Sequence, residues 1–364
     1  MIKYLGSKRT LTPLISDVAS CLPARSAADL FAGTTRVGQC LRRLGLEVVS
    51  ADTAAYSEVL GIAYLEADEA VDRARLRSLL AHLQALPDRS GYVTETFCRR
   101  ARYFHPANGR RIDAIRAGID ELELTRVERG LLLASLLEAA DRVDSTVGVQ
   151  MAYLKSWAPR ALRPLELREP CPVAGPAGRA LQTDANRLAG ELDGIDLVYL
   201  DPPYNQHSYA GNYHVWETLT RNDAPAHYGV ACKRLDTRQR RSDYNSRRLA
   251  WRALSDLVER VTASWIVLSL SDEGFHDPQR VVELLARRGH VIAVGIDSRR
   301  YVGAQIGIHD PRGRPVGRVS HLRNTELLYV CGPSRARLDA ALAAARRNGA
   351  VPLRSCERSV AAAS

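Results

Sequence analysis

Apolar residues along this chain recur in two ways, as short continuous runs and at helical spacing, and their alternation divides the sequence. Short runs closed by acids, glycines or prolines read as buried strands: Ala27 to Asp29, Leu46 to Asp52, Arg179 to Asp184, Ile195 to Leu200, Trp265 to Leu270, His290 to Ile296 and Glu326 to Val330. Helical spacing fills the gaps between them. It runs through Leu11, Leu14, Ile15, Val18 and Leu22, then from Val37 to Leu44 with a stop at Gly45, from Ser246 to Val261, and from Pro278 to Arg287. Strands alternating with helices predict an α/β protein whose sheet is mostly parallel, with the last two strands forming an antiparallel edge across the Arg299 to His321 loop. A long helical tract from about Glu58 to Pro176 interrupts this rhythm. Asp72 to Leu86 and Arg111 to Leu124 are amphipathic, Arg126 to Val143 carries the block Leu131 to Leu137, and Pro159, Pro164, Pro170, Pro172 and Pro176 mark an irregular exit. The expected organisation is one α/β unit from residues 1–74 and 179–332, a largely helical insertion at 75–178, and a C-terminal helix with a frayed tail at 333–364.

Composition narrows the class. With 46% hydrophobic and 25% charged residues, the 364-residue chain is an ordinary globular one rather than a disordered one. The net charge of +10 favours a polyanionic partner, nucleic acid before membrane, since no basic amphipathic helix stands out. A general preference for arginine accounts for part of that excess, because lysine appears only at Lys3, Lys8, Lys155 and Lys233. Two of these four sit at the start. That start has no apolar signal core, and no later run is long and uncharged enough to span a bilayer, so a cytoplasmic location is expected. Cys21, Cys40, Cys98, Cys171, Cys232, Cys331 and Cys356 are scattered without a Cys-x-x-Cys pair, which predicts reduced thiols and neither a disulfide frame nor a metal site.

The candidate chemistry lies at strand tips. Asp201-Pro202-Pro203-Tyr204 ends the run Ile195 to Leu200, and proline forces its predecessor into extended geometry, so a carboxylate, a carbonyl and a ring leave the sheet edge in fixed directions. A planar amine can give one N–H to Asp201 and another to the Pro202 carbonyl while Tyr204 stacks on its ring. The turn Asp29-Leu30-Phe31-Ala32-Gly33-Thr34-Thr35 opens a βαβ unit, and Asp52 tips its second strand, placed to take ribose hydroxyls. Because Thr34 and Thr35 occupy the middle of that turn, a nucleoside cofactor without phosphates fits better than a dinucleotide. Asp184 tips a further strand, and Lys8 lies near the N-terminal end of the first helix, where an anion is held well. Asn205 to His214 reads as a substrate-facing loop. Arg99 to His105 with Lys155-Ser156-Trp157 mixes cations and aromatics, either for phosphate contact and stacking or as charged surface over a core. Lys233 to Arg248 is basic around Tyr244, either a phosphate-tracking loop or a solvated one.

Taken together, Lys3-Tyr4-Leu5-Gly6-Ser7-Lys8, then Asp29-Leu30-Phe31-Ala32-Gly33, then Asp201-Pro-Pro-Tyr204, in this order with an insertion before the last, resemble the alpha-group, Dam-type, DNA adenine-N6 methyltransferases. The resemblance implies a Rossmann-like methyltransferase sheet, S-adenosylmethionine as cofactor, double-stranded DNA as partner, and an insertion that recognises the target sequence. It implies that Lys8 binds the cofactor carboxylate, Asp29 its amino group, Asp52 the ribose and Asp184 the adenine amino group, with Tyr4, Ser7, Phe31 and Gly33 completing the pocket. Asp201, Pro202 and Tyr204 would carry catalysis without a metal. Thr34-Thr35 replaces the family's more usual Ser-Gly, and Tyr4 stands where many relatives have Trp. Tyr204-Asn205-Gln206 to Asn212-Tyr213-His214 with Glu217 is similar to a subset of these enzymes. An RNA base methyltransferase shares the Asp-Pro-Pro-Tyr signature and is the nearest rival. Cytosine-N4 enzymes more often carry Ser before Pro-Pro, and an idle DNA-binding regulator would not need Lys8, Asp52 and Asp201 together.

Overall fold

The computed structural model describes residues 2–299 and 323–353. Among the described residues ten strands form: β1 (Ser26–Asp29), β2 (Glu47–Asp52), β3 (Arg179–Gln182), β4 (Leu197–Leu200), β5 (His227–Tyr228), β6 (Lys233–Arg234), β7 (Trp265–Ser271), β8 (His290–Arg299), β9 (Arg323–Gly332) and β10 (Val351–Pro352). Eight of them make one sheet in the order β10-β8-β9-β7-β4-β1-β2-β3, and β5 with β6 forms a separate hairpin. Five strands, β3-β2-β1-β4-β7, run parallel, while β9, β8 and β10 are antiparallel to their neighbours. The α/β reading holds, and the antiparallel edge is three strands wide because the chain after the last long helix returns to add β10 on the outer side of β8. A frayed end was expected there. The Arg299 to His321 connection beyond Arg299, Cys356, and the tail from residue 354 lie outside the described residues.

Burial explains why the central strands read as continuous apolar runs. Every residue of β4 and of β7 is buried, since helices cover both faces of a parallel sheet. On one face lie Leu188, Leu254, Val258, Val281 and Leu285, and on the other Leu14, Ile15, Val18, Val37, Leu41 and Leu338. The strand order reverses between β1 and β4. From β1 the chain winds outward to β2 and β3, from β4 to β7, so the loops after β1 and β4 diverge and leave a crevice at the carboxyl ends of the strands.

The helical tract contains helices Arg73–Ala85, Pro106–Glu121 and Arg126–Arg142, the last opened by a capping box of Thr125 and Glu128. These helices do not close a core by themselves. Leu132, Leu136, Ile112 and Phe97 share one buried cluster with Tyr56, Val59 and Leu60 beside β2, and with Tyr213, Val215 and Trp216 after the Asp-Pro-Pro-Tyr motif. Two helices that periodicity did not show supply those last contacts, Ala55–Gly61 and His214–Arg221. No described helix is long and apolar enough to cross a membrane.

Candidate active site

A cavity of about 860 Å³ opens at the crevice between the diverging loops. Of the residues singled out from sequence, Tyr4, Phe31, Asp52, Asp184 and Asp201 line it. Asp29, Gly33, Ser7, Lys8, Pro202 and Tyr204 lie behind or beside that lining, so the sequence-derived set falls into a wall and its support.

The β1 turn is held from below. Asp29 accepts from the Gly38 N–H at 3.1 Å, and the Gly33 N–H donates to Asp52 Oδ2 at 2.9 Å, tying the two strand tips together. Gly33 has φ +50°, and a Cβ there would meet the Tyr4 ring at 3.0 Å, so only glycine lets turn and ring approach. Thr35 also takes the left-handed region, φ +58°, at a position where a glycine would be at ease, and its hydroxyl accepts from Gln39 Nε2 at 2.9 Å. Asp52 uses its other oxygen on the Ala54 N–H at 2.9 Å. Burial raises its pKa against those two backbone donors, and each oxygen keeps a lone pair for a further donor.

Asp29 is 1% exposed, and its Oδ1 has no well-formed hydrogen bond. Burial raises its pKa to about 7, with the charges of Asp201 and Asp52 adding to the rise and the Gly38 and Phe31 N–H groups opposing it. A buried carboxylate in that state calls for a cationic partner. Asp184 caps its short helix by accepting from the Arg187 N–H at 3.1 Å and is exposed at the far end of the cavity. Phe31 meets Tyr244 edge to face with centroids 5.3 Å apart, an aromatic corner suited to a flat heterocycle.

Tyr4 stacks on Tyr213 at 4.5 Å and on Tyr209 at 5.4 Å, and its hydroxyl is 3.3 Å from that of Tyr56. The N-terminal motif therefore rests on the stretch after the Asp-Pro-Pro-Tyr motif, and the Leu5 N–H donates to the Tyr213 hydroxyl. Ser7 is half-buried, and its side chain caps nothing.

Lys8 is 6% exposed, and its ammonium sits 3.1 Å from Asp201 Oδ1 and 3.1 Å from Glu326 Oε2. Burial opposes its charge, but these two carboxylates hold its pKa well above the ordinary value. Burial raises the Asp201 pKa to about 6, with Lys8 pulling it down and Glu326 pushing it up. Asp201 Oδ2 has no partner among the described residues. Pro202 is buried, and Tyr204 is anchored through its carbonyl, which accepts from the Phe275 N–H at 2.9 Å. Burial pushes the Tyr204 phenol up to about 12.

Several cavity residues gave little or no sequence signal. Arg240 donates to Glu217 at 2.7 Å and to the Thr53 carbonyl at 2.8 Å, and Glu217 also accepts from the Ala55 N–H at 2.9 Å. Asn245 donates to the carbonyls of Asn205 and His207 at 2.8 and 3.0 Å. Within the basic stretch from Lys233 to Arg248, residues 240–245 line the cavity as a strap, with Tyr244 buried among them. The sequence marked Lys233 to Arg248 as basic around Tyr244 and Glu217 as part of the family resemblance, but nothing in it placed Arg240 or Asn245 at the cavity.

Comparison with known proteins agrees with this geometry. The family described as D12 class N6 adenine-specific DNA methyltransferase matches residues 4–269. The Type II methyltransferase M.NlaIII of Neisseria lactamica is 33% identical over 314 residues, covering 82% of this chain and 92% of that protein. The modification methylase LlaI of Lactococcus lactis subsp. lactis is 30% identical over 321 residues, 82% of this chain and 51% of its own length. The Type II methyltransferase M.CviAII of Paramecium bursaria Chlorella virus 1 is 29% identical over 315 residues, 82% of this chain and 92% of that one. The matched span runs from Tyr4 through the β1 turn and the Asp-Pro-Pro-Tyr motif into β7, so it takes in Tyr4 to Lys8, Asp29, Asp52, Asp184 and Asp201. The chain belongs to the D12 class of N6 adenine-specific DNA methyltransferases.

Proposed function

We propose that this chain transfers the methyl group of S-adenosylmethionine to the N6 amine of adenine in double-stranded DNA, as the modifying arm of a restriction-modification system. The observation that carries the reading is the Asp201-Pro202-Pro203-Tyr204 tip of β4 meeting the Asp29 and Asp52 tips at one crevice. The cavity residues fit the cofactor. Asp52 offers two oriented oxygens to the ribose hydroxyls, Asp29 behind the lining would ionise against the ammonium through its unbonded Oδ1, and Asp184 beside Phe31 and Tyr244 suits an adenine. Tyr4 and Gly33 shape the wall between them. The cofactor supplies a methyl group on a positively charged sulfur, which leaves as a neutral thioether.

The chain's own residues act on the base. An exocyclic amine conjugated with its ring is a poor nucleophile, and two acceptors draw it toward tetrahedral geometry as its lone pair becomes available. Asp201 and the Pro202 carbonyl are those acceptors, fixed by the prolines before the base arrives. Tyr204 stacks on the base, offsetting part of the few kcal/mol that flipping it from the duplex costs. Positive charge developing on N6 as it takes the methyl group would lie beside the Asp201 carboxylate, and the N6 proton would then pass to solvent.

Labelled cofactor incubated with duplex DNA and, separately, with structured RNA tests the reading. Label on adenine N6 of the duplex, with none on RNA, is the expected result. Label confined to RNA would move the enzyme to the ribosomal class.

A further inference from the structure

We infer that Glu326 is a positioning residue for methyl transfer, holding the Lys8 ammonium so that Lys8 orients the Asp201 carboxylate without neutralising it. The inference rests on the role proposed above for Asp201. Glu326 stands near the start of β9, opposite Ser271 of β7 and Ile296 of β8, at the edge where the parallel sheet turns antiparallel. It is 8% exposed, and its Oε2 lies 3.1 Å from Lys8 Nζ, the same distance that separates Lys8 from Asp201. A buried lysine paired with Asp201 alone would fix the carboxylate but quench its charge, leaving a weak acceptor. Two carboxylates around one ammonium keep the trio net negative. Lys8 then fixes Oδ1 of Asp201, and the carboxylate keeps enough basicity to polarise an amine at its other oxygen.

Among the described residues, the titratable groups around this trio include Tyr199 on β4, Tyr204 beyond it, Tyr209 on the short helix Tyr209–Asn212, Asp29 at the tip of β1, Glu273 near Tyr204, and, flanking Glu326, Asp272 just past β7 and Asp297 on β8. The three phenols are raised by burial and stay neutral, and the acids are common to every variant compared below.

The test is single-turnover methyl transfer from labelled cofactor to an adenine-containing duplex, followed from about pH 5 to about pH 9 in the full chain, Glu326→Gln and Glu326→Asp. Removing the Glu326 charge leaves Lys8 undivided on Asp201, which lowers the Asp201 pKa. The acid limb of the Glu326→Gln profile is therefore expected to move to lower pH by about 1 unit, with a plateau roughly tenfold below native. Glu326→Asp, one methylene short, moves the limb less and in the same direction. Glu326 does not line the cavity, and calorimetric cofactor affinity measured on the same variants separates any loss of binding from the change in transfer. A purely structural role would change rate or stability and leave the limb in place. An unmoved limb in either folded variant overturns the inference, and if Glu326→Gln fails to bind cofactor, Glu326→Asp alone decides it. A native chain that methylates no adenine would remove the functional reading together with this one.

Discussion

Asp201 joins the sheet edge, the buried lysine and the base in a single side chain, and its replacement separates binding from chemistry. Asp201→Ala removes an acceptor used as the amine changes geometry, so the loss falls on the transition state, where one such hydrogen bond is worth roughly 3 to 4 kcal/mol. Single-turnover transfer should fall by a factor on the order of a hundred to a thousand while calorimetric cofactor affinity holds. Near-native transfer would remove Asp201 from the reaction. Asp29 makes a different prediction. Its folded pKa of about 7 lies above the ordinary carboxylate value, so the stability it contributes is present at low pH and is lost as pH rises through about 7. A bound cation restores the ionised form, so cofactor binding should release a proton near neutrality and tighten as pH rises toward that value. Calorimetry in buffers of different ionisation enthalpy measures the proton directly, and uptake instead of release would contradict the assignment of the ammonium to Asp29. At this scale the sequence was readable wherever an acid ended an apolar run, as at Asp52, Asp184 and Asp201. Glu326 was not, because an acid before an apolar strand has no diagnostic spacing and its lysine lies 318 positions away.

The strap across the cavity belongs to the scale of elements. Arg240 ties it to Glu217 on the helix His214–Arg221 and to the Thr53 carbonyl directly after Asp52. Arg240→Ala should therefore lower the melting temperature, since the lost charged hydrogen bond to the buried Glu217 is worth roughly 1.5 to 3 kcal/mol, and weaken cofactor binding in turn. Unaltered affinity would make the strap a cover for DNA alone. The strap was unreadable because loop chemistry and cavity chemistry use the same residues, arginine, asparagine and tyrosine. The helix His214–Arg221 was hidden for a related reason: its stripe of Val215, Trp216 and Leu219 is short and shares the buried face with the polar His214, Glu217 and Thr218. Ala55–Gly61 failed in the opposite way, being covered nearly all round beneath the insertion and so lacking a polar face. The sheet was legible because the buried parallel strands β2, β4 and β7 leave short continuous apolar runs.

At the scale of the whole molecule, the shared core constrains how the insertion can be tested as the sequence-reading unit. Exchanging residues 75–178 wholesale with a relative's would cut through the cluster that joins Leu132 and Leu136 to Tyr56 and Trp216, so an inactive chimera would report a broken core. Surface replacement avoids this. Arg99, Arg100 and Lys155 are exposed, next to a group in which Arg102 lies 4.6 Å over Trp157 and His105 meets the same ring at 5.5 Å. Arg100 also reaches His227 on the β5–β6 hairpin, so insertion and hairpin present one continuous face. If the excess of 51 basic over 41 acidic residues serves a phosphate backbone there, each cation that meets a phosphate contributes about one counterion to the salt dependence of binding. Changing Arg99, Arg100 and Lys155 to Gln should flatten the slope of log affinity against log salt by about 2 to 3, leaving cofactor affinity and melting temperature near native. Fluorescence anisotropy of a labelled duplex across a salt series gives the slope. A triple variant with the native slope would move the DNA path off the insertion, toward Arg241 and Arg252 at the rim of the cavity.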